Sequence, residues 1–303
     1  MLPSPYGNCG MADRDKSPLP LAGGAGGGPE DAGRLASLAP SPNPSRMREG
    51  ERSPDRIDAA PRYSETDAIR LNHMFRGRDT VEMLEILLKE NMLGDVAIVS
   101  SFGAESAILL HLIASIDPTV PVLFLDTGKH FPETITYKEE LRQQLGLQDL
   151  RDLKPDADLL QQKDGNGLRW SYDPDGCCEI RKVLPLKQAL AGFDAQFTGR
   201  KAFQSSTRSA LPRFEVEDGR LKVNPLADWS KERLDAYMVE NNLPAHPLVE
   251  LGYPSIGCSP CTSKVAPGED PRSGRWKGWD KTECGIHTAV TQLDDDGAND
   301  PVF

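Results

Sequence analysis

The sequence predicts an α/β fold in which a parallel sheet is covered by helices on both faces. Three observations carry this. Short apolar runs, "DVAIVSSF" (95–102) and "PVLFLDTG" (121–128), are each followed by a segment of helical periodicity, the alternation expected of βαβ units. Both runs end in small or polar residues, as strands do beside the ligand crevice of an open α/β sheet. Further on, "RFEVEDGRLKVNPLADW" sets an Asp-Gly turn between alternating segments, a hairpin signal.

The elements follow in order. Residues 1–65 hold ten of the 25 prolines and nine of the 27 glycines with few large apolar residues. Such a stretch buries too little surface to offset its ordering entropy, so a disordered extension is expected. From Ser64 the pattern changes. "SETDAIRLNHMFRG" opens with a capping box, Ser64 and Asp67, and leads into the amphipathic "DTVEMLEILLKENM". The strand at 95–102 runs into the helical "GAESAILLHLIASI", and the strand at 121–128 into "FPETITYKEELRQQLGL" with Pro132 in its first turn. "CCEIRKVLPLKQALAG" reads as helix, "FDAQFTGRKA" as a strand ending in a loop, and "KERLDAYMVENNL" as the last helix. After Pro244 periodicity fades. The expected division is an extension (1–65), an α/β domain (66–250) and an irregular C-terminal segment (251–303), and a long irregular segment in a compact domain is usually functional or disordered.

Composition narrows the function classes. A net charge of −11 argues against general affinity for nucleic acid, which needs a surplus of Lys and Arg. No apolar run approaches the roughly 18–20 residues that span a bilayer, and the N-terminus lacks a secretory layout. A cytoplasmic protein with no membrane partner is expected. Its six cysteines are then not a disulfide framework. Cys9 lies in the extension and reads as incidental.

Four features bear on chemistry. "SSFGAES" (100–106) stands at a strand-to-helix junction, where small residues and free helix N–H groups suit an anion. "LDTG" ends the next strand, and two such ends side by side form a nucleotide crevice. The adjacent Cys177 and Cys178 precede the Cys258-x-x-Cys261 pair by 79 residues. Zinc prefers two knuckles of spaced cysteines, and a redox dithiol should open a helix after a strand. An iron–sulfur cluster tolerates the irregular spacing best, with zinc its main competitor. Three basic runs supply Arg181 and Lys182, then Arg200, Lys201 and Arg208, then Arg272, Arg275 and Lys277; beside Gly, Ser, Thr and Cys they suggest a phosphate- or sulfate-bearing ligand. Finally, Cys284 stands alone in the polar "DKTECGIHT" (280–288), with Lys281, Arg275 and His287 as basic neighbours. That setting suits a reactive thiol better than a buried hydrophobe.

At this level of detail the chain from about 90 to 290 resembles the assimilatory adenylylsulfate (APS) reductases, relatives of the phosphoadenylylsulfate (PAPS) reductases. The shared marks are "SSFGAES", "LDTG", "CC" with "CxxC" about 80 residues later, and "ECGIH". The resemblance implies a Rossmann-like domain of the adenine nucleotide alpha hydrolase type followed by a mobile C-terminal segment. It implies that Ser101, Phe102, Gly103, Asp126, Thr127 and Gly128 contact the nucleotide. It implies that Cys177, Cys178, Cys258 and Cys261 hold one 4Fe-4S cluster per subunit, with Lys182 linking cluster and substrate. Arg272, Arg275 and Trp276 resemble the stretch that grips the phosphosulfate; Arg200 and Arg208 are carried over less firmly. The implied reaction is reduction of APS to sulfite and AMP, through a sulfonated Cys284 that thioredoxin then resolves. PAPS reductases lack the paired cysteines, so APS is expected over PAPS, with dual specificity and a homo-oligomer both left open. The resemblance assigns His287 no chemical role.

Overall fold

The computed structural model describes residues 62–202 and 211–286. Six strands, β1 (Val96–Ser100), β2 (Val122–Leu125), β3 (Leu150–Leu153), β4 (Ala195–Thr198), β5 (Phe214–Glu217) and β6 (Arg220–Val223), form one sheet in the order β3-β2-β1-β4-β6-β5. All neighbours pair in parallel except β5 with β6. The chain builds outward from β1 to one side and from β4 to the other, so the crevice of an open sheet falls between their C-terminal ends.

Both faces are covered, which explains why β1 and β2 read as continuous apolar runs. Alternate residues go opposite ways. Ile98, Val122 and Phe124 join the larger core under the helices α1 (Glu65–Met74), α2 (Thr80–Lys89), α3 (Ser106–Ala114) and α4 (Pro132–Gln144). Ala97, Val99, Leu123 and Leu125 meet Leu186 and Leu190 of α7 (Leu184–Leu190) on the other face. The capping box at Ser64 and Asp67 is formed and Pro132 opens α4. Asp218 (φ 50°) and Gly219 (φ 70°) make the expected turn between β5 and β6, with positive φ at both central positions as a type I′ hairpin needs.

The sheet departs from a wholly parallel one at its edge, where that hairpin adds β5 antiparallel. Two elements carry no signal in the sequence pattern. β3, "LRDL", exposes Arg151 and Asp152, because an edge strand needs no second apolar face. Helix α5 (Ala157–Asp164) buries a single residue, Asp164. The helix read from "CCEIRKV" starts earlier, at Pro174: α6 (Pro174–Cys178) passes through a π-helical segment, Glu179–Val183, into α7. After α8 (Lys231–Glu240) one short further helix, α9 (Pro247–Glu250), precedes the irregular segment. No helix among the described residues is long and apolar enough to cross a membrane.

At the start of α9, His246 is wholly buried. Its Nδ1 accepts from Leu248 N–H at 3.2 Å, so the neutral ring carries its proton on Nε2, 3.1 Å from Thr134 Oγ1. Burial pushes its pKa down from 6.5 to about 4, against a small opposing pull from Glu133. The unfolded chain therefore takes up this proton first as pH falls. Stability from this site is full above pH 6.5 and is lost on descent to about pH 4, by roughly 3 kcal/mol. Urea midpoints measured across that window are expected to fall more steeply for wild type than for His246→Asn.

Candidate functional site

The loops after β1 and β2 form one wall. Phe102 holds φ at 48°, a conformation that costs a non-glycine residue energy and persists only when its surroundings enforce it. Here the enforcement is packing: the ring is fully buried and meets Phe124 edge-on at 5.5 Å, while Phe102 N–H donates to Ser100 Oγ at 3.2 Å. The phenyl ring thus belongs to the core, and only the backbone of this residue is available to a ligand. Ser101 is exposed and Gly103 is buried. Glu105, at the N-cap of α3, makes no capping bond and instead receives Lys201 Nζ at 2.7 Å.

In the second loop Asp126 Oδ1 accepts from Gly128 N–H at 3.1 Å, and Gly128 takes φ 66°. Thr127 is fully buried, with its hydroxyl 3.3 Å from Cys258 Sγ and accepting from Lys129 N–H at 3.2 Å. Its side chain therefore faces the cysteines rather than the open crevice. Lys129 O accepts from Ser259 N–H at 2.8 Å, so the "LDTG" loop and the C-x-x-C turn are joined along the backbone.

Asp173 opens the cysteine helix by accepting from Gly176 N–H at 2.7 Å. Cys177 and Cys178 complete α6, and Arg181 and Lys182 lie in the π-helical segment that follows; such bulges recur at functional sites. Cys177, Cys178 and Cys258 are buried and Cys261 is partly exposed, all as free thiols. Among the described residues no three His, Cys, Asp or Glu side chains converge as a mononuclear metal site requires.

Lys182 sits among the sulfurs. Desolvation would lower its pKa, but Cys258, Cys284 and Cys178 override this and hold the ammonium above its ordinary range. The influence is mutual. Burial raises Cys258, yet Lys182, the Thr127 hydroxyl and Arg275 bring it below the usual thiol value. Burial wins at Cys178, pushed up to about 11 against Lys182, and at Cys177 and Cys261, both raised.

The C-terminal segment packs against the C-x-x-C turn. Trp276 N–H donates to Cys261 O at 3.0 Å, and Ser263 N–H to Gly274 O at 2.8 Å. A Cβ on Gly274 would stand 2.2 Å from Ser263 O, so the close approach demands glycine. Arg275 stacks 4.5 Å over the Trp276 ring and lies against Gly257. Arg272 Nη2 donates to Thr282 O at 2.6 Å and to Glu283 Oε2 at 3.2 Å, fixing the two residues before Cys284. Lys281 pairs with Asp175 on α6. Cys284 is partly exposed, and Ile286 packs against the Leu186 and Leu190 cluster.

The structure thus brings Cys178, Cys258, Cys284, Lys182 and Arg275 into one electrostatic neighbourhood. Arg200, at the end of β4, is paired with Glu215 and Asn224. Arg208, His287, Cys9 and residues 1–61 lie outside the described residues. Sequence reading missed the roles of Asp164, Asp175 and Glu105; Glu105 lies inside "SSFGAES" and Asp175 just ahead of the cysteine pair, but only the partner of each reveals what it does.

The Phosphoadenosine phosphosulfate reductase domain matches residues 95–264. The chain is 48% identical over 226 residues to the adenosine 5'-phosphosulfate reductase of Mesorhizobium japonicum, covering 75% of this chain and 89% of that one. It is 54% identical over 195 residues to the protein of the same name from a Chelativorans species, covering 64% and 79%. Among solved structures, phosphoadenylyl-sulfate (PAPS) reductase from Candida auris in a phosphate complex superposes with a TM-score of 0.57 at 28% identity, covering 67% of this chain and 98% of that one.

Proposed function

Because this chain belongs to the phosphoadenosine phosphosulfate reductase domain family, we propose that the Cys284 thiolate attacks the sulfur of adenosine 5'-phosphosulfate and that thioredoxin completes the reduction. The chain is an oxidoreductase that reduces adenosine 5'-phosphosulfate in sulfate assimilation. In the first step a bond forms between Cys284 Sγ and the sulfuryl sulfur. The S–O bond to the phosphate breaks and AMP leaves with its electron pair. The product is a sulfonate on Cys284. A thioredoxin thiolate then attacks Cys284 Sγ, sulfite departs with the electron pair of the S–S bond, and the second thioredoxin thiol releases Cys284 by disulfide exchange. Cys284 needs no resolving thiol of its own, which accounts for its separation from the other cysteines in sequence.

The observation that carries this reading is that Lys182 interacts electrostatically with Cys284 as well as with Cys258 and Cys178. A fixed cation acting on the nucleophile's sulfur offsets charge developing on the sulfuryl oxygens. Arg275, which also interacts with Cys284, adds positive charge, and Arg272 holds the backbone of the nucleophile's segment. The backbone of Ser101–Gly103 and the Asp126–Gly128 loop would take the nucleotide.

The donor set suits an iron–sulfur cluster. Four free thiols, Cys177, Cys178, Cys258 and Cys261, act on one another electrostatically, and four cysteine sulfurs are the donors such a cluster takes. Cys177, Cys178, Cys258 and Cys261 would hold the cluster, which when bound supplies a fixed charge beside the substrate site. The competing reading, a PAPS or dual-specificity reductase, is favoured by the likeness to the Candida auris enzyme. We expect anaerobically purified protein to contain about four irons per chain and to turn over adenosine 5'-phosphosulfate with thioredoxin far faster than its 3'-phosphorylated form. Colourless protein containing zinc would overturn the cluster, and equal turnover of both nucleotides would establish dual specificity. The cell compartment proposed is the cytoplasm.

A further inference from the structure

We propose that Asp164 is a positioning residue that locks the nucleotide loop to the cysteine helix, acting through Arg181; its functional consequence rests on the reading above. Asp164 ends α5, and its side chain is wholly buried. Its Oδ2 receives Arg181 Nε at 3.0 Å and Nη2 at 2.6 Å, and its Oδ1 receives Arg169 N–H at 2.8 Å. Arg181 uses its remaining arm, Nη1, to donate to Thr127 O at 2.7 Å. Arg169 in turn holds Asp173 Oδ2 at 2.9 Å, and Asp173 caps the first turn of α6. One carboxylate therefore ties together the 126–128 loop, the π-helical segment and the start of the helix bearing Cys177 and Cys178. Lys129 runs a parallel strut, donating to Gly167 O at 2.5 Å.

Two features set this apart from ordinary core stabilisation. Asp164 is the one buried residue of α5, so that helix contributes an ion instead of an apolar contact. Buried ion pairs are poor sources of stability compared with apolar packing, and their best-attested use is to specify register. Here the register concerns both halves of the site. Thr127 presents its carbonyl to Arg181 and its hydroxyl to Cys258, so displacement of Arg181 moves a nucleotide-loop residue and a contact of Cys258 together. Sites of this kind need their groups held to about 0.5 Å.

Asp164→Asn keeps the shape and the acceptor for Arg169 N–H but leaves the Arg181 charge unpaired. Hydrogen exchange on the full chain, which depends on neither nucleotide nor iron, is expected to speed up at 126–129 and 174–183 together while α8 is unchanged. Binding of AMP to the same variant is expected to weaken about tenfold, a shift of about 1.4 kcal/mol, with KM for the sulfur nucleotide rising more than kcat falls. Thr80→Val, which removes the partner of the Trp229 indole N–H at 2.8 Å, serves as a control that lowers melting temperature but leaves AMP affinity alone. If Asp164→Asn does not fold, Arg181→Gln is read in the same way. Exchange that rises only at the end of α5, or rises everywhere equally, overturns the proposal. Wild type that binds no AMP would instead overturn the functional reading while leaving the exchange result to decide the positioning role.

Discussion

Replacing Cys284 with serine is expected to reduce turnover on the order of 10⁴-fold or more, the scale seen when a covalent nucleophile is removed, while AMP still binds. A serine hydroxyl at neutral pH is a far weaker nucleophile than a thiolate. The segment around position 284 does not depend on the sulfur. Arg272 holds Thr282 O and Glu283, and Ile286 packs against Leu186 and Leu190, so the variant should fold and keep its nucleotide site. The direct check is intact-mass spectrometry after mixing with adenosine 5'-phosphosulfate and no thioredoxin. Wild type should gain the mass of one sulfonate and release one AMP per chain, and Cys284→Ser should do neither. An adduct on the serine variant would move the nucleophile to another cysteine.

Lys182→Gln is expected to lower kcat/KM about 10²- to 10³-fold, the scale of losing one preorganised charge at a reacting centre. The ammonium is the main cation opposing the burial of Cys258 and Cys178. Without it the thiols lose their compensation, so iron retention should fall alongside activity. Lys182→Arg should restore only part of this. A planar guanidinium carries the charge but spreads it over a fork in place of a compact ammonium. Activity and iron content equal to wild type in Lys182→Gln would remove Lys182 from the mechanism.

Much of this site was legible as parts. "SSFGAES" and "LDTG" announced themselves as strand ends because small residues there interrupt an apolar run. "EIRKV" announced two cations beside the cysteine pair. Which cation does what was not legible. Adjacent residues in a helical segment project in different directions, so Lys182 reaches Cys258 and Cys284 while Arg181 turns back to Asp164 and Thr127. Thr127 and Phe102 show the same limit. Their motifs mark two strand-end loops beside the crevice, but one side chain turns toward Cys258 and the other fills the core.

The sequence by itself determined whatever local sterics and periodicity control: the alternation of strands and helices, the capping box at Ser64 and Asp67, the turn at Asp218 and Gly219, and the presence of five thiols in the reductase region. Tertiary structure alone decided that Cys178, Cys258 and Cys284 share one cation and that Asp164 faces Arg181. It also added β3 and α5, whose residues make few apolar contacts and so leave no pattern. The physical reason is range. Propensity and patterning act over a few residues, whereas Asp164 and Arg181 are 17 positions apart and Lys182 and Cys284 more than 100, and only packing of the whole domain brings such groups together.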